Sequence, residues 1–555
     1  MKPKIYPIDS DTPPPAEDLL PEVGNKAFNL MRLAALDLPV PPAFVLSTGF
    51  CRHWIQHGHA INGDLPEQLL THVRRLENLS GLSFGDQRRP LLLSVRSGAA
   101  ASMPGMMETL LNIGLTTRTL PGLIAVTGKP RLAWDSLRRL VQSFAEVVKG
   151  VPATGFDALR DEALGISGAE VVGDLDTLAL RTLTLAQLHH FHELVGEPFP
   201  EDPMEQLTGA VEAVFRSWES ERAVTYRRLN NLDGLTGTAV TIQRMVFGNA
   251  GSGSGSGVGF TRNPADGSNE LYMEFLFNAQ GEDVVSGRYP VDAADTLQAL
   301  LPDAFQHLMA IRERLELAFG DVQDFEFTIE NGKVFLLQTR RAKRTDWAAV
   351  KIAVDLARQG LIEPREAVNR LGNVPWEKLT RRRLLGVVGE PLATAKSAGI
   401  GVASGRIALT AEAAVAWAGQ GVDAILVRND TTTDDIAGMN AAVAILTAHG
   451  GRTSHEAVIA RQLNKVCLVG CDALSIAPDG MSCAIGGHRF SPGDFLTLDG
   501  DNGVIYAGRL DVGEEKPDAE LAQLNDWLRM LSPAERPATS SGGGDARALA
   551  AGASV

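Results

Sequence analysis

Two stretches of mixed strand and helix patterns, separated by a charged helical segment, limit the folds open to this chain. The first stretch ends near residue 341, and the second runs from about 389 to 510. A chain of 555 residues also exceeds the roughly 250 to 300 residues at which a single hydrophobic core stops growing. We therefore predict an α+β multidomain protein.

The first stretch, residues 1–341, combines strand-like runs with a long helical segment. A helical pattern from Lys26 to Leu38 leads through prolines into AFVLST, and strand signals return in TAVTIQRMVFGN and DFEFTIENGKVFLLQTRR. Between about 130 and 232, apolar residues recur every three to four positions, which predicts a helical insert. The charged residues 342–388 predict a helical linker arm.

The second stretch, residues 389–510, has the pattern of an α/β domain. Short apolar runs alternate with helical pieces, and the runs read ASGRIALT, AILVRN, AILTAH, VCLVG and DFLTLDG. Residues 511–555 predict a linker helix followed by a disordered tail, because the last residues are mainly Pro, Ser, Gly and Ala.

Charge and cysteine content restrict the possible partners. The formal net charge of −15 opposes nonspecific binding to nucleic acid or to an anionic membrane, since both require clustered Lys and Arg. Only four cysteines occur, which is typical of a reduced compartment, and the N-terminus has no apolar signal core. We therefore expect a cytoplasmic protein with no nucleic acid and no membrane partner.

The segment GGRTSHEAVIARQL predicts a helix start that favours an anion. Thr453 and Glu456 stand three apart, as in the S/T-x-x-E capping box, and His455 falls in the first turn. The unpaired N–H groups and the helix dipole of that turn would stabilise a phosphorylated imidazole, and the two preceding glycines leave room for a bulky group. A histidine near a helix cap is, on its own, more typical of an ordinary surface residue.

The context of this histidine resembles a known family. GMNAAVAILTAHGGRTSHEAVIARQLNKVCLVGC resembles the phosphohistidine segment of the phosphoenolpyruvate-utilising enzymes, especially the pyruvate, phosphate dikinases, and GDFLTLDGDNGVIYAG resembles the end of the same swivelling domain. The resemblance implies that His455 is the phosphorylated histidine and that Thr453 is its catalytic neighbour. The sequence departs from the family at Glu456, where alanine is usual, and at Ala398, where proline is common.

The first half resembles the nucleotide-binding domain of the dikinases, which has an ATP-grasp fold. The similar segments are LLSVRSGAAASMPGMMETLLNIGL, GNKAFNLMRLAALDLPVPPAFVLST and GVGFTRNPADGSNELYMEFLFNAQGEDVVSG. The resemblance implies that Lys26 and Arg96 hold ATP phosphates, with Arg96 also catalytic. It implies that Glu326 and Gln338 bind Mg²⁺ and nucleotide, with the nucleotide-binding residues Asp324 and Arg340 beside them. Phosphoryl transfer depends on such positioning and charge neutralisation.

A run of glycine and serine, GSGSGSG, precedes FTRNP. Backbone N–H groups of Gly253, Gly255 and Gly257 are able to approach phosphates closely because glycine has no side chain. Such a run is by itself more typical of a mobile linker. Its position matches that of a phosphate-binding loop in the family that the chain resembles. This match favours a nucleotide-binding role for the three glycines.

The strands on either side of Asn331-Gly332 provide a test that depends only on side-chain alternation. A two-residue turn would place Glu326 and Gln338 on opposite faces. A shift of one residue, through a three-residue loop or a bulge, would pair Asp324 with Arg340 and Glu326 with Gln338 on one face. We predict the shifted arrangement, because it separates polar from apolar side chains.

The resemblance implies a self-phosphorylating enzyme. ATP would deliver a pyrophosphoryl group to His455, and inorganic phosphate would remove its outer part to leave phosphohistidine. A dikinase would continue into a pyruvate-binding barrel for which about 25 residues are too few. We therefore expect a separate polypeptide to supply pyruvate or another acceptor. Two alternatives are a phosphocarrier for a non-pyruvate acceptor and a non-catalytic ATP-binding regulatory module.

Overall fold

The computed structural model describes residues 3–59, 61, 64–101, 103, 107–285, 294–372, 374–386, 389–432 and 435–531. These residues form two units. The first contains the chain up to Ser252 together with Phe335–Thr339, and the second contains Gly253–Val334 and the chain from Arg340 onward. Within the described ranges, no helix is both long enough and apolar enough to cross a membrane.

The first unit is built on a five-stranded antiparallel sheet with the order β1-β2-β7-β5-β6. The strands of the first unit are β1 (Ile5–Ile8), β2 (Ala43–Leu46), β3 (Ser83–Phe84), β4 (Pro90–Leu91), β5 (Leu93–Gly98), β6 (Thr109–Ile113) and β7 (Ala239–Arg244). Strands β3 and β4 pair with each other and not with this sheet. Its helices are α1 (Leu20–Ala35), α2 (Thr48–Gln56), α3 (Leu65–Ser80), α4 (Leu120–Thr127), α5 (Pro130–Val147), α6 (Thr154–Ser167), α7 (Thr177–Val195), α8 (Pro203–Ser217) and α9 (Glu221–Leu229).

Helices α5 to α9 occupy the segment for which the apolar spacing predicts helices. In α5, Leu137, Leu140, Val141 and Phe144 are all buried, so residues three and four apart share the face that meets the core. Pro130 is the first residue of this helix, where a missing N–H leaves no hydrogen bond unmade.

The chain of the second unit begins in a four-stranded antiparallel sheet, of whose last strand residues Phe335–Thr339 belong to the first unit. It contains β8 (Gly255–Phe260), β9 (Tyr272–Phe277), β10 (Gln323–Glu330) and β11 (Lys333–Arg341), in the order β11-β10-β8-β9. The helices α10 (Gly281–Val285), α11 (Ala294–Leu300) and α12 (Pro302–Phe319) lie between β9 and β10 in sequence.

One face of this sheet is aromatic, and it explains the glycines of β8. Phe275 and Phe327 are opposite Gly257 on the two neighbouring strands, and their rings stack across it with centroids 5.8 Å apart. A Cβ on Gly257 would lie 2.7 Å from Cε1 of Phe327. Gly255 has Phe275 against it in the same way.

These contacts correct the prediction of one phosphate-binding loop. Gly255 and Gly257 lie inside β8, a central strand whose backbone groups face two neighbouring strands. Gly253 does lie in a turn, where its carbonyl accepts from the N–H of Gly332 at 2.7 Å. Only the residues before Gly255 therefore keep the loop conformation that the sequence predicts.

A connecting segment with α13 (Asp346–Arg358), α14 (Pro364–Arg370) and β12 (Arg381–Leu384) leads to an eight-stranded sheet of order β13-β23-β22-β15-β16-β17-β18-β14. The remaining strands are β13 (Ala393–Thr394), β14 (Lys396–Gly399), β15 (Val402–Ala408), β16 (Ala424–Arg428), β17 (Ala444–Thr447), β18 (Val466–Val469), β19 (Leu474–Ile476), β20 (Cys483–Ile485), β21 (His488–Phe490), β22 (Phe495–Asp499), β23 (Val504–Ala507) and β24 (Val512–Glu515). The helices are α15 (Ala411–Gly419), α16 (Ile436–Ala441), α17 (His455–Gln462) and α18 (Asp518–Met530).

We call β13 to β23, with their helices, the C-terminal domain. Its five predicted apolar runs form β15, β16, β17, β18 and β22, and β15 to β18 are parallel neighbours. Strand β12 is a departure from the predicted helical arm. It pairs with β24, so that Arg381 lies opposite Glu515 and Arg382 opposite Glu514. The acidic partner lies far along the chain, and local patterns do not reveal it.

Replacing Gly257 by Ala should lower the free energy of unfolding of the second unit by about 1 to 3 kcal/mol, because the new methyl group overlaps Phe327. Thermal unfolding measures this change. Gly281→Ala is the matched control, since no atom lies within 4 Å of its Cβ position, and its effect should stay within about 0.5 kcal/mol. Equal effects of the two substitutions would contradict the packing argument.

Candidate active site

A buried carboxylate binds the segment immediately before His455. Glu274, on β9, is 2% exposed. Its Oε2 accepts from the N–H of Thr453 at 2.9 Å and from Thr453 Oγ1 at 2.6 Å, and its Oε1 accepts from the N–H of Arg452. We call this set of hydrogen bonds the clasp. It joins the four-stranded sheet to the loop that leads into α17.

The two glycines of this loop each have a carboxylate against them. A Cβ on Gly451 would lie 2.5 Å from Oε2 of Glu274, and a Cβ on Gly450 would overlap the carboxylate of Glu456. Gly450 also has φ of 104°, a conformation that side chains disfavour. The space that the sequence assigns to a bulky group is therefore taken by carboxylates of the chain itself.

The start of α17 differs from the predicted capping box. The helix begins at His455 and Ser454 is its N-cap, with no side-chain capping hydrogen bond. Thr453 is one residue too early to cap, and its hydroxyl donates to Glu274 instead. Glu456 is the second helical residue and not the third. The side chain of His455 lies outside the described part of the structure.

Glu456 is a buried acid beside this helix start. Burial raises the pKa of its carboxyl above the usual range, and the charges of Asp430 and Glu274 act in the same direction, while the Ser454 hydroxyl opposes them. A carboxylate in the first turn is also favoured by the helix dipole. The loop before His455 thus runs between Glu274 and Glu456.

Two arginines of the C-terminal domain lie over two aromatic rings of the four-stranded sheet. The Cζ of Arg452 is 5.4 Å from the ring of Tyr272, and the Cζ of Arg461 is 5.3 Å from the ring of Phe260. Arg461 is fully buried, and its Nη1 donates to the carbonyl of Arg452 at 2.8 Å. Burial raises the pKa of Tyr272 to about 12, and its hydroxyl donates to the carbonyl of Ser397.

Tyr272 and Glu274 lie on the face of the four-stranded sheet that is opposite its aromatic face. We call this the polar face. Glu326 is directly opposite Val258, which is directly opposite Glu274, so the three side chains form a row across β10, β8 and β9. Neighbouring strands are about 4.8 Å apart, which places the Cα atoms of Glu326 and Glu274 about 10 Å apart. The sequence pointed to Glu326 but not to Glu274, although Glu274 lies in one of the segments that resemble the dikinase nucleotide-binding domain.

Two of the predicted neighbours of Glu326 contact each other. Arg340 Nε donates to Oδ2 of Asp324 at 2.7 Å. Burial raises the pKa of Asp324, with the guanidinium of Arg340 opposing the shift. The charge of Asp324 in turn raises the pKa of Arg340, and Glu326 contributes in the same direction. Asp324, Glu326 and Arg340 therefore form one electrostatic group.

The hairpin agrees with the prediction in part. Strand β10 ends at Glu330 and β11 begins at Lys333, so the loop has two residues, Asn331 and Gly332, with φ of 50° and 79°. Of the two predicted routes to the shifted arrangement, the three-residue loop is therefore excluded, because Asn and Gly both adopt the positive φ of a tight hairpin turn, and the bulge stays a prediction. Asp324 and Arg340 form an ion pair, as the shifted arrangement requires, while the register of the two strands stays a prediction. The pairing of Glu326 with Gln338 stays a prediction.

Lys26, Arg96 and Gln338 lie in the first unit. Helix α1 is kinked at Gly24, whose φ is 75°, and a Cβ there would lie 2.8 Å from the carbonyl carbon of Gly98. The N–H of Asn25 donates to the carbonyl of Ala99 at 2.9 Å. The backbone next to Lys26 therefore contacts the end of β5, the strand that contains Arg96.

Comparison with known proteins assigns both halves of the chain. The family model "Pyruvate phosphate dikinase, AMP/ATP-binding domain" matches residues 57–298 and 290–360, more than half of the chain. The model "PEP-utilising enzyme, mobile domain" matches residues 421–503, which include the clasp loop and α17. The chain thus combines an ATP-binding domain with the mobile domain of a phosphoenolpyruvate-utilising enzyme. It belongs to the pyruvate, phosphate dikinase family.

Relatives from several organisms are similar over most of the chain. Pyruvate, phosphate dikinase of Clostridium symbiosum is 42% identical over 509 residues, which are 91% of this chain and 58% of that protein. The chloroplastic enzyme 1 of Zea mays is 40% identical over 93% of this chain and 55% of its own length. The Rhizobium meliloti enzyme is 39% identical over 93% and 60%. The chain therefore spans somewhat more than half the length of these relatives.

The raised pKa of Glu456 predicts a pH-dependent effect. The folded chain binds this proton more tightly than the unfolded chain does, so the proton's stabilising effect is complete below the unfolded pKa and is lost as the pH rises through the folded pKa. Glu456→Gln should therefore raise the unfolding free energy by about 1 kcal/mol at pH 8 and by less at pH 4. Thermal unfolding at both pH values tests this, with Glu162→Gln, an exposed carboxylate of α6, as control. A gain that is the same at both pH values would argue against it.

Proposed function

We propose that this chain catalyses the ATP-dependent phosphorylation of its own His455. Its membership of the pyruvate, phosphate dikinase family supports this activity, and so does the similarity of its two halves to an AMP/ATP-binding domain and a mobile domain. His455 is the first residue of α17, in the domain that matches the mobile-domain model.

One structural observation favours this proposal over a regulatory module. The row of Glu326, Val258 and Glu274 connects a proposed nucleotide-binding carboxylate with the carboxylate that holds Arg452 and Thr453. Thr453 precedes His455 by two residues, and two residues extend at most about 7 Å. The histidine segment is therefore bound on the face of the sheet that contains the proposed nucleotide-binding carboxylate.

The proposed chemistry has two transfers. An imidazole nitrogen of neutral His455 attacks the β-phosphorus of ATP, an N–P bond forms, and the bond from that phosphorus to the bridging oxygen of AMP breaks. Inorganic phosphate then attacks the outer phosphorus, pyrophosphate leaves, and phosphohistidine remains. Protonation of the ring removes the nucleophilic lone pair, so loading should weaken at low pH.

The charged side chains have distinct roles in this proposal. Lys26 and Arg96 would neutralise ATP phosphates, and Arg340, held by Asp324, would add a third positive charge. Thr453, bound to Glu274, would orient the histidine segment. Of the three predicted glycines, we retain only Gly253 as a phosphate contact, since Gly255 and Gly257 are strand residues.

A Mg²⁺ ion that binds together with the nucleotide is part of this proposal. Glu326 and Gln338 would supply oxygen ligands, and Mg²⁺ typically takes one or two protein ligands together with substrate phosphates and water. Among the described residues, no group of three or more His, Cys, Asp or Glu is arranged as a complete metal site. Bound Mg²⁺ would neutralise phosphate charge.

We further propose that the phosphoryl group passes from His455 to pyruvate or to another acceptor held on a separate polypeptide. The relatives named pyruvate, phosphate dikinases support pyruvate as this acceptor.

His455→Ala should abolish labelling of the chain by ATP carrying ³²P at the β position, because alanine has no nitrogen that is able to attack the β-phosphorus. The control is the unsubstituted chain with and without inorganic phosphate, scored for AMP, pyrophosphate and protein-bound label. Label that persists in the His455→Ala chain would refute the assignment.

Glu326→Gln should slow loading of His455 by about 10²- to 10³-fold, the usual loss when a group that stabilises transition-state charge is removed. Single-turnover labelling measures the rate. The matched control is Glu330→Gln, on the same face of β10 about 13 Å further along the strand, which should load within a few-fold of the unsubstituted rate. Equal loss in the two variants would indicate a general effect of charge and would contradict a specific role for Glu326.

A further inference from the structure

The clasp is an anion-binding arrangement that an anion of the chain already occupies. Two backbone N–H groups and one hydroxyl, from Arg452 and Thr453, converge on the carboxylate of Glu274. Convergent N–H donors of this kind bind any small oxyanion, phosphate included. They lie two residues before the proposed phosphorylation site, His455.

Phosphorylation of His455 would change the charge around this arrangement. A phosphoryl group carries about two negative charges at neutral pH. Glu274 is 2% exposed and Glu456 is 6% exposed, so the solvent screens their charges poorly. The added charge would repel the Glu274 carboxylate and compete with it for the same donors.

The C-terminal domain is connected in a way that allows it to respond. The chain enters the domain after β12 and leaves it before β24, and these two strands pair with each other as a single ribbon. Polar contacts hold the domain in place. They include the clasp, the paired hydrogen bonds of Asp346 with Asn464 at 2.7 and 3.0 Å, and the ion pair of Arg381 with Asp501 at 3.3 Å.

We propose that Glu274 senses the phosphorylation state of His455. It holds the C-terminal domain against the four-stranded sheet while His455 is unmodified, and the new phosphoryl group repels it and takes over the Arg452 and Thr453 donors. Loading thereby releases the domain. This inference rests on the proposed function and adds a means by which the loaded histidine leaves the nucleotide face for its acceptor.

Glu456 provides the contrast that isolates this role. It belongs to α17 and moves with His455, so its repulsion of the phosphoryl group is the same whether the domain is held or released. Only Glu274, on β9, has its distance to His455 changed by release. Removal of the Glu274 charge should therefore uncouple loading from release, whereas removal of the Glu456 charge should not.

A distance measurement between two spin labels tests the proposal on the full chain. Cysteines introduced at Gln306 on α12 and at Ser475 on β19 are exposed positions on the two sides of the clasp, and the four native cysteines are buried. Double electron–electron resonance then reports the ratio of held to released domain before and after ATP and phosphate. Protein-bound ³²P on His455 is scored in the same samples.

Loading should shift this ratio towards release by about 5- to 150-fold in the unsubstituted chain and in Glu456→Gln, the usual range of a coupling between two sites. Glu274→Gln should load His455 more slowly, because Glu274 binds the Thr453 segment, and when it is compared at the same amount of label on His455 it should show a much smaller shift. Glu274→Asp, which keeps the charge, should recover part of the shift, and thermal unfolding checks that each variant is folded.

The outcomes separate the inference from the proposed function. Absence of label on His455 in the unsubstituted chain overturns both. Label without a shift, or an equal shift in Glu274→Gln and the unsubstituted chain, overturns the sensing role and leaves the proposed function intact. A shift with ATP in a His455→Ala chain also overturns the sensing role, because nucleotide binding and not phosphorylation would then drive release.

Discussion

The hydrogen bonds that Glu274 accepts from Arg452 and Thr453 are the interaction on which the second unit depends. They connect the strand face with the acidic residues Asp324 and Glu326 to the loop that leads into α17. Two neighbouring residues support these hydrogen bonds. Gly451 has no side chain and so leaves space for the Glu274 carboxylate, and Arg461 donates a hydrogen bond to the carbonyl of Arg452. A buried carboxylate is stable only with such donors.

The four-stranded sheet makes this interaction possible because its two faces differ completely. Side chains alternate along each strand, so one face of β8 to β10 receives phenylalanine rings that pack against glycines, while the other receives the acids and the rings of Phe260 and Tyr272. The glycines of β8 have no side chains, so the phenylalanine rings are able to pack directly against the backbone of this strand. The aromatic face packs against these glycines, and the opposite face contains Asp324, Glu326 and Glu274.

The connection to the C-terminal domain follows a different rule, which is charge complementarity. Strand β12 is rich in arginine and β24 in glutamate, and the two pair in register although about 130 residues separate them. Arg381 contacts Glu515 of this ribbon, Asp501 of the C-terminal domain and the ring of Trp347 on α13. These side chains are polar and partly exposed to solvent, unlike those of a hydrophobic core. Such contacts are typical of a connection between domains.

The sequence alone determined the features that depend on local spacing. The strands β15 to β18 and β22 and the helices between Pro130 and Leu229 were predictable, because the spacing of apolar residues is encoded by near neighbours. The resemblance also identified the family. Tertiary structure decided the rest. It placed Gly255 and Gly257 under aromatic rings, moved the start of α17 so that Thr453 bonds to Glu274, and paired β12 with β24. Each of these depends on a partner distant in sequence, and only the folded chain brings such partners together.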